Sequence, residues 1–139
     1  SAFDDALFEA GIGNYNLVKV SSILPPNCKP CDTIDLPDGS PLHVAWQSII
    51  VKPTQTASSG ILLIPALEDA YGLIIEIADY TTEDLLRTQL KKSAFERCAF
   101  RNITQRFTAD FIYIRSTENM DYVLNNESLV CLFTGVALF

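Results

Sequence analysis

Two adjacent serines, Ser21 and Ser22, offer the clearest chemistry in this sequence. They end an apolar, strand-like stretch and precede a double proline, Pro25-Pro26, which stops regular structure. A serine hydroxyl can attack the peptide carbonyl in front of it when the backbone is held under strain. The pair is therefore a candidate site of self-cleavage, and hydroxyls that cap a turn at the end of a strand are the simpler interpretation.

A carboxyl group within an apolar run is the second candidate. Glu76 lies in residues 73–77, which are otherwise leucine and isoleucine. Strand alternation would direct it away from Ile75 and Ile77. Desolvation would then raise its pKa and suit it to donate a proton, whereas an exposed strand face is the alternative.

The four cysteines raise the question of a metal or redox site. Cys28 and Cys31 have the spacing of a zinc knuckle or a redox pair. A zinc site would also need Cys98, Cys131 or His43. Cys98 falls on a helical pattern and Cys131 in an apolar run, where cysteine behaves as a small hydrophobe. We therefore expect free thiols and no metal.

Composition narrows the class of protein. The chain has 139 residues, of which 48% are hydrophobic and 19% charged, as expected for one globular domain. A net charge of −7 argues against nucleic acid or an anionic membrane as partner. No apolar run approaches the roughly 18 residues of a membrane span, and no signal peptide is visible. A cytoplasmic location is expected.

The apolar periodicity and the turn residues predict an α+β fold. One helix is predicted over residues 2–10, and a longer one from a Thr-Thr-Glu-Asp start at residue 81 to about residue 101. Strands are predicted over residues 15–24, 42–51, 60–67, 71–78, 107–115 and 129–138, with a proline-rich loop over 25–41. The absence of a regular βαβ alternation favours a largely antiparallel sheet.

The longer helix is predicted to bury one face and to expose another. The predicted apolar face consists of Leu85, Leu86, Leu90, Ala94, Phe95 and Cys98. The basic residues of its later half are Lys91, Lys92, Arg97 and Arg101. The helix dipole favours cations there, and we interpret them as a solvated face rather than a phosphate site.

Several short motifs resemble those of the pyruvoyl-dependent arginine decarboxylases. Phe-Asp-Asp-Ala-Leu occupies residues 3–7, and Gly-Ile-Gly-Asn-Tyr-Asn occupies residues 11–16. Ser-Ser-Ile-Leu-Pro-Pro follows at residues 21–26, in the same order and at the same spacing as in that family. A later segment, Gly-Leu-Ile-Ile-Glu at residues 72–76, resembles the family's strand that carries a catalytic glutamate.

The resemblance implies a single domain over residues 1–139 that cuts itself. The Ser22 hydroxyl would attack the Ser21 carbonyl to give an ester, whose elimination leads to a pyruvoyl cofactor at position 22. The products would be a β chain of residues 1–21 and an α chain of residues 22–139. The cofactor would form a Schiff base with arginine, which would be converted to agmatine and CO2.

The resemblance also implies roles for individual residues. Asn16 corresponds to an asparagine needed near the reactive serine, where an amide can donate to the oxyanion. Glu76 corresponds to the residue that protonates the carbanion, and Asp4 to the aspartate that meets the guanidinium of the substrate. A turn asparagine and a helix-N-terminal acid are the simpler interpretations of Asn16 and Asp4.

The same resemblance refines the fold and leaves alternatives for the function. It implies a four-layer αββα sandwich with largely antiparallel sheets, assembled as a homotrimer with active sites between subunits. An unprocessed homologue that acts as a structural or regulatory subunit is one alternative. A small metal-binding module built on Cys28 and Cys31 is another.

Overall fold

The computed structural model describes residues 1–67, 69–104, 111–120 and 129–139. Over this part of the chain the helices are α1 (Ala2–Glu9) and α2 (Glu83–Phe100). The strands are β1 (Asn16–Lys19), β2 (Ile23–Leu24), β3 (Pro41–Val51), β4 (Ser58–Ile64), β5 (Gly72–Asp79), β6 (Ile112–Ser116) and β7 (Val130–Leu138). The predicted strand at 107–115 is confirmed at its end by β6, and its residues 107–110 lie outside the described part.

The strands form two sheets. The first sheet has the order β1-β3-β7, with β1 parallel and β7 antiparallel to β3. The second sheet has the order β2-β5-β4-β6, and each of these pairings is antiparallel. The predicted α+β fold with largely antiparallel sheets is therefore confirmed.

The helices cover the outer faces of the two sheets. On α1, Leu7 packs with Leu42 and Val44 of β3. On the opposite side of the molecule, α2 packs against β4, β5 and β6. The inner faces meet in a cluster that joins Ala45 of the first sheet to Ile61 and Ile74 of the second. The layers follow the order α1, first sheet, second sheet, α2, which is the predicted αββα sandwich.

The buried face of α2 is narrower than predicted. Thr82 caps the helix, because its side chain accepts a hydrogen bond from the backbone N–H of Leu85 at 3.3 Å. The residues that face the second sheet recur every four positions and are Leu86, Leu90, Ala94 and Cys98. Leu85 and Phe95, predicted to join them, are 58% and 75% exposed. They lie off this face because helix positions one residue apart point about 100° away from each other.

The predicted strand over residues 15–24 is wrong as a single element. Its first part is β1, and the backbone N–H of Val20 still donates to Val44 of the first sheet at 3.0 Å. Its last part is β2, and the backbone carbonyl of Ser22 already accepts from Ile74 of the second sheet at 2.8 Å. An alternating pattern does not reveal a change of sheet, because a strand in either sheet has the same two-residue period.

A glycine fixes the start of β5, the strand that carries Glu76. A Cβ atom at Gly72 would collide with the carbonyl of Ile64 and the backbone nitrogen of Ala66. The absence of a side chain lets β5 begin against the end of β4. The resulting register places Glu76 opposite Ile61 of β4.

Candidate active site

The peptide bond between Ser21 and Ser22 lies where the chain crosses from the first sheet to the second. Ser21 is the residue between the last backbone hydrogen bond to the first sheet, made by Val20, and the first to the second sheet, made by Ser22. Ser21 is exposed and Ser22 is half-buried. The bond is therefore anchored on both sides while its own atoms lie outside the strand ladders.

Glu76 lies near this crossover. Ile74, which donates to the Ser22 carbonyl, is two residues before Glu76 on β5. Ile75 and Ile77 pack on the α2 side, whereas Ile74 packs between the sheets, so alternation places Glu76 on the side of Ile74. About 6.6 Å of strand separates the Cα atoms of Ile74 and Glu76.

The Glu76 carboxyl is poorly satisfied within the described part of the chain. Its Oε2 atom is buried there and has no hydrogen-bond partner. Burial raises the pKa of Glu76 above its ordinary value, and the positive charges of Lys19 and Arg97 partly oppose this effect. An unpartnered carboxyl with a raised pKa can hold a proton and deliver it to a ligand.

This raised pKa predicts a pH-dependent stability. Below the ordinary pKa of about 4.5 the carboxyl is neutral in both folded and unfolded chains. The neutral carboxyl is tolerated in its buried position, whereas the ionised carboxylate is not. As the pH rises through the raised folded-state pKa, ionisation therefore favours the unfolded chain and lowers the free energy of unfolding. We expect Glu76→Gln to melt close to the parent near pH 4 and above it near pH 8.

Thermal melting across this pH range, with both chains carrying Ser22→Ala so that cleavage does not contribute, measures the effect. An equal difference in melting temperature at every pH would contradict a raised pKa for Glu76.

A pocket of about 300 Å³ opens beside Ser22 on the α2 side. It is lined by Ser22, Ile23, Leu73, Glu96, Arg97, Phe100 and Arg101. The last four lie in or directly after the final turns of α2. The pocket therefore gives a small ligand access to residue 22 next to two guanidinium groups.

Sequence reasoning placed no cation near Ser22. Lys19 ends β1, and its ammonium lies 4.6 Å from the ring centroid of Trp46. Arg97 and Arg101 were interpreted as a solvated helix face, and both line the pocket. Their spacing of one helical turn was visible in the sequence, but only the fold brings the two arginines next to the serine pair.

Asn16 and Asp4 lie apart from the Ser22 pocket of their own chain. The Asn16 side chain donates to the Gly39 carbonyl at 2.7 Å, at the far end of β1 from Ser21. Asp4 is in the first turn of α1, and its side chain is 69% exposed. Neither residue lines the pocket. Within one chain, the fold therefore does not bring Asn16 or Asp4 together with Ser22.

The cysteines are free thiols. Cys28 and Cys31 are exposed in the loop before β3, whereas Cys98 is buried on α2. Over residues 1–67, 69–104, 111–120 and 129–139, no three histidine, cysteine or acidic side chains group as metal ligands. In the same residues no helix is long and apolar enough to cross a membrane.

Comparison with known proteins places this αββα sandwich in a family of cofactor-dependent lyases. Residues 1–134 match the family model for pyruvoyl-dependent arginine decarboxylase. The chain belongs to the pyruvoyl-dependent arginine decarboxylase family.

Relatives of that name cover the whole chain. The protein from Methanococcus aeolicus is 35% identical over 145 residues, which span 100% of this chain and 80% of the relative. A relative from Methanococcus maripaludis is 38% identical with the same coverage. The protein from Methanocaldococcus jannaschii is 42% identical over 78 residues, or 55% of this chain and 47% of the relative.

The surroundings of Ser22 fit the pyruvoyl group that this family implies. The family forms the group from a serine, and the motif resemblance predicts that Ser22 is this residue. The pocket leaves space beside residue 22 on the α2 side. Glu76 does not line it but lies on the opposite face of β5, where its buried Oε2 lacks a partner in the described residues. Ser22 would carry the group, with Ile23 and Leu73 as its apolar surroundings.

Proposed function

We propose that this chain cleaves itself between Ser21 and Ser22 and then decarboxylates arginine to agmatine. The observation that carries the proposal is the position of the serine pair at the crossover between the sheets, where the Ser22 carbonyl accepts from Ile74, two residues before Glu76 on β5. Family membership supports the substrate, because the relatives are named arginine decarboxylases.

Self-cleavage would proceed by transfer of an acyl group. The Ser22 hydroxyl attacks the Ser21 carbonyl, so that an ester replaces the peptide bond and the nitrogen of residue 22 becomes a free amine. Elimination then breaks the Cβ–Oγ bond of residue 22 and releases the Ser21 carboxylate. The resulting enamine would tautomerise to an imine, which water would hydrolyse to the carbonyl with release of ammonia. The anchored flanks of the crossover hold the attacking and attacked atoms together.

The pyruvoyl group would supply a carbonyl that condenses with the substrate amine and accepts the electrons left when CO2 departs from the α carbon; hydrolysis of that linkage would release agmatine and restore the carbonyl. Glu76 would donate a proton to the α carbon, for which its raised pKa suits it.

We further propose that the sites lie between the protomers of a homotrimer. Asp4 and Asn16 are remote from the Ser22 pocket of their own chain, which supports their contribution to a neighbour's site. In that arrangement the Asn16 amide serves ester formation and Asp4 binds the guanidinium. A cytoplasmic location, where thiols such as Cys28 and Cys31 stay reduced, is part of the same proposal.

A denaturing gel and a product assay test the function. Purified protein should give two pieces that correspond to residues 1–21 and 22–139, and it should release agmatine and CO2 from arginine. A single intact chain without this activity would refute the proposal and favour the structural or regulatory subunit.

Asp4→Asn should weaken arginine binding without preventing self-cleavage. The change keeps the side-chain size but removes the charge that pairs with the guanidinium. A charge-assisted hydrogen bond contributes about 1.5–3 kcal/mol, so KM should rise roughly 10- to 100-fold. KM and the melting temperature are measured on the same variant. Asp5→Asn, the adjacent acid of the same helix turn, is the matched control.

Mixing a variant that binds arginine weakly with an inactive variant tests whether Asp4 acts across subunits. Chains with Asp4→Asn keep Ser22, and chains with Ser22→Ala keep Asp4. A mixed oligomer would combine an intact Ser22 with an intact Asp4 of a neighbour and should regain a low KM. Lower stability with an unchanged KM in Asp4→Asn alone would instead assign Asp4 to its helix.

A further inference from the structure

Arg97 is a cation beside Ser22 that makes no ion pair with any described residue. The described ion pairs of arginine side chains join Arg87 to Glu83 and Arg115 to Glu9. Arg97 also makes no side-chain hydrogen bond within the described residues, where Arg87, Arg101 and Arg115 do. Its immediate neighbour Glu96 is no partner, because consecutive helix residues do not face each other.

The other cations near Ser22 are already engaged. Arg101 donates to the Tyr71 hydroxyl at 3.3 Å, and its guanidinium lies 5.6 Å from the centroid of that ring. Lys19 lies over the Trp46 ring. Arg97 is exposed and shares the pocket with Glu96, but it makes no ion pair with a described residue, so its guanidinium is open to an anion from outside.

We propose that Arg97 binds the α-carboxylate of the substrate, an inference that rests on the proposed function. The substrate amine must reach residue 22 to react. The carboxylate is attached to the same carbon as that amine, through bonds of about 1.5 Å each. A substrate that reaches residue 22 through the pocket that Ser22 shares with Arg97 brings this carboxylate next to that guanidinium. A guanidinium and a carboxylate form a bidentate pair that would also fix the rotation of the substrate.

This contact should affect binding more than the chemical step. The carboxylate leaves as neutral CO2, so its attraction to Arg97 declines as the bond breaks. An interaction that is stronger in the ground state than in the transition state lowers KM without raising kcat. Loss of Arg97 should therefore raise KM and leave kcat nearly unchanged or slightly higher.

Two unreactive ligands measure the contact directly. 5-Guanidinopentanoic acid is arginine without its α-amine, and butylguanidine lacks the carboxylate as well. Neither can condense with a carbonyl, so calorimetry reports binding alone. We expect Arg97→Gln to lower the affinity for the acid about tenfold and to change the affinity for butylguanidine by less than about twofold. Arg97→Lys should lower the affinity for the acid less, because lysine keeps the positive charge but cannot pair with both carboxylate oxygens at once.

Arg87→Gln is the matched control, because this arginine lies on the same helix but is paired with Glu83. Arg87→Gln should bind both ligands as tightly as the parent does. An equal loss of affinity for both ligands in Arg97→Gln would overturn the proposal. So would equal affinities of Arg97→Gln and the parent for the acid, or a larger loss in Arg101→Gln than in Arg97→Gln.

The failure of this inference is separable from that of the proposed function. A parent protein that splits and releases agmatine, together with an Arg97→Gln variant that binds the acid normally, would refute only the role of Arg97. If Arg97→Gln does not split, the same comparison is made in the Ser22→Ala background with and without Arg97→Gln. Equal affinity of those two chains for the acid would also overturn the proposal.

Discussion

Ser22→Ala is expected to yield one unbroken chain without decarboxylase activity. Alanine lacks the hydroxyl that attacks the Ser21 carbonyl, so neither the ester nor the cofactor can form. The effect should be complete, because no other group on residue 22 can replace the missing oxygen. A denaturing gel and the mass of the intact protein measure the splitting, and release of CO2 from arginine measures the activity.

Ser21→Ala provides the matched control for this variant. The attacked carbonyl belongs to the backbone of residue 21, and its side chain is exposed and outside the strand ladders. The control chain should therefore still split. Cleavage after residue 21 in Ser22→Ala would contradict the assignment of Ser22 as the attacking residue.

Glu76→Gln should split normally but turn over arginine about 10²–10⁴-fold more slowly, the usual contribution of a positioned acid. Glutamine occupies the same space but has no acidic proton for the α carbon. Protonation follows formation of the cofactor and should not be needed for it. The turnover number is determined per mole of split chain, so that any loss of processing is counted separately.

Asp79→Asn is a suitable control for Glu76→Gln, since Asp79 lies at the exposed end of the same strand. It should retain most of the turnover. Near-normal turnover in fully split Glu76→Gln would remove Glu76 from the catalytic step and leave its raised pKa as a consequence of burial alone.

Local sequence patterns were sufficient for most elements of the fold. The start of α2 at a threonine cap and four members of its buried face, Leu86, Leu90, Ala94 and Cys98, depend on residues close together in the chain, and both were predicted. The boundaries of β3 and β5 also lie within about one residue of the predicted strands. Such features are readable because hydrogen bonding and amphipathic periodicity are local properties.

The sheet change at Ser21 and the environment of Arg97 were not predictable in this way. Both depend on contacts between residues far apart in sequence, Ser22 with Ile74 in one case and α2 with the start of β2 in the other. The alternation in residues 15–24 is compatible with either sheet. A motif resemblance pointed to Asp4 and Asn16, but it could not show that they lie apart from Ser22 in one chain.

The crossover at Ser21 also determines the order in which the molecule must be built. Cleavage there would turn residues 1–21 into a separate peptide, held by the β1–β3 ladder and by the packing of Leu7 and Ile12 beneath α1. Before cleavage these contacts form within one chain at a high effective concentration, and afterwards they would depend on two molecules meeting. The fold is therefore formed in the intact precursor, where both segments belong to one chain. Denatured mature protein would have to bring two separate chains together when it refolds.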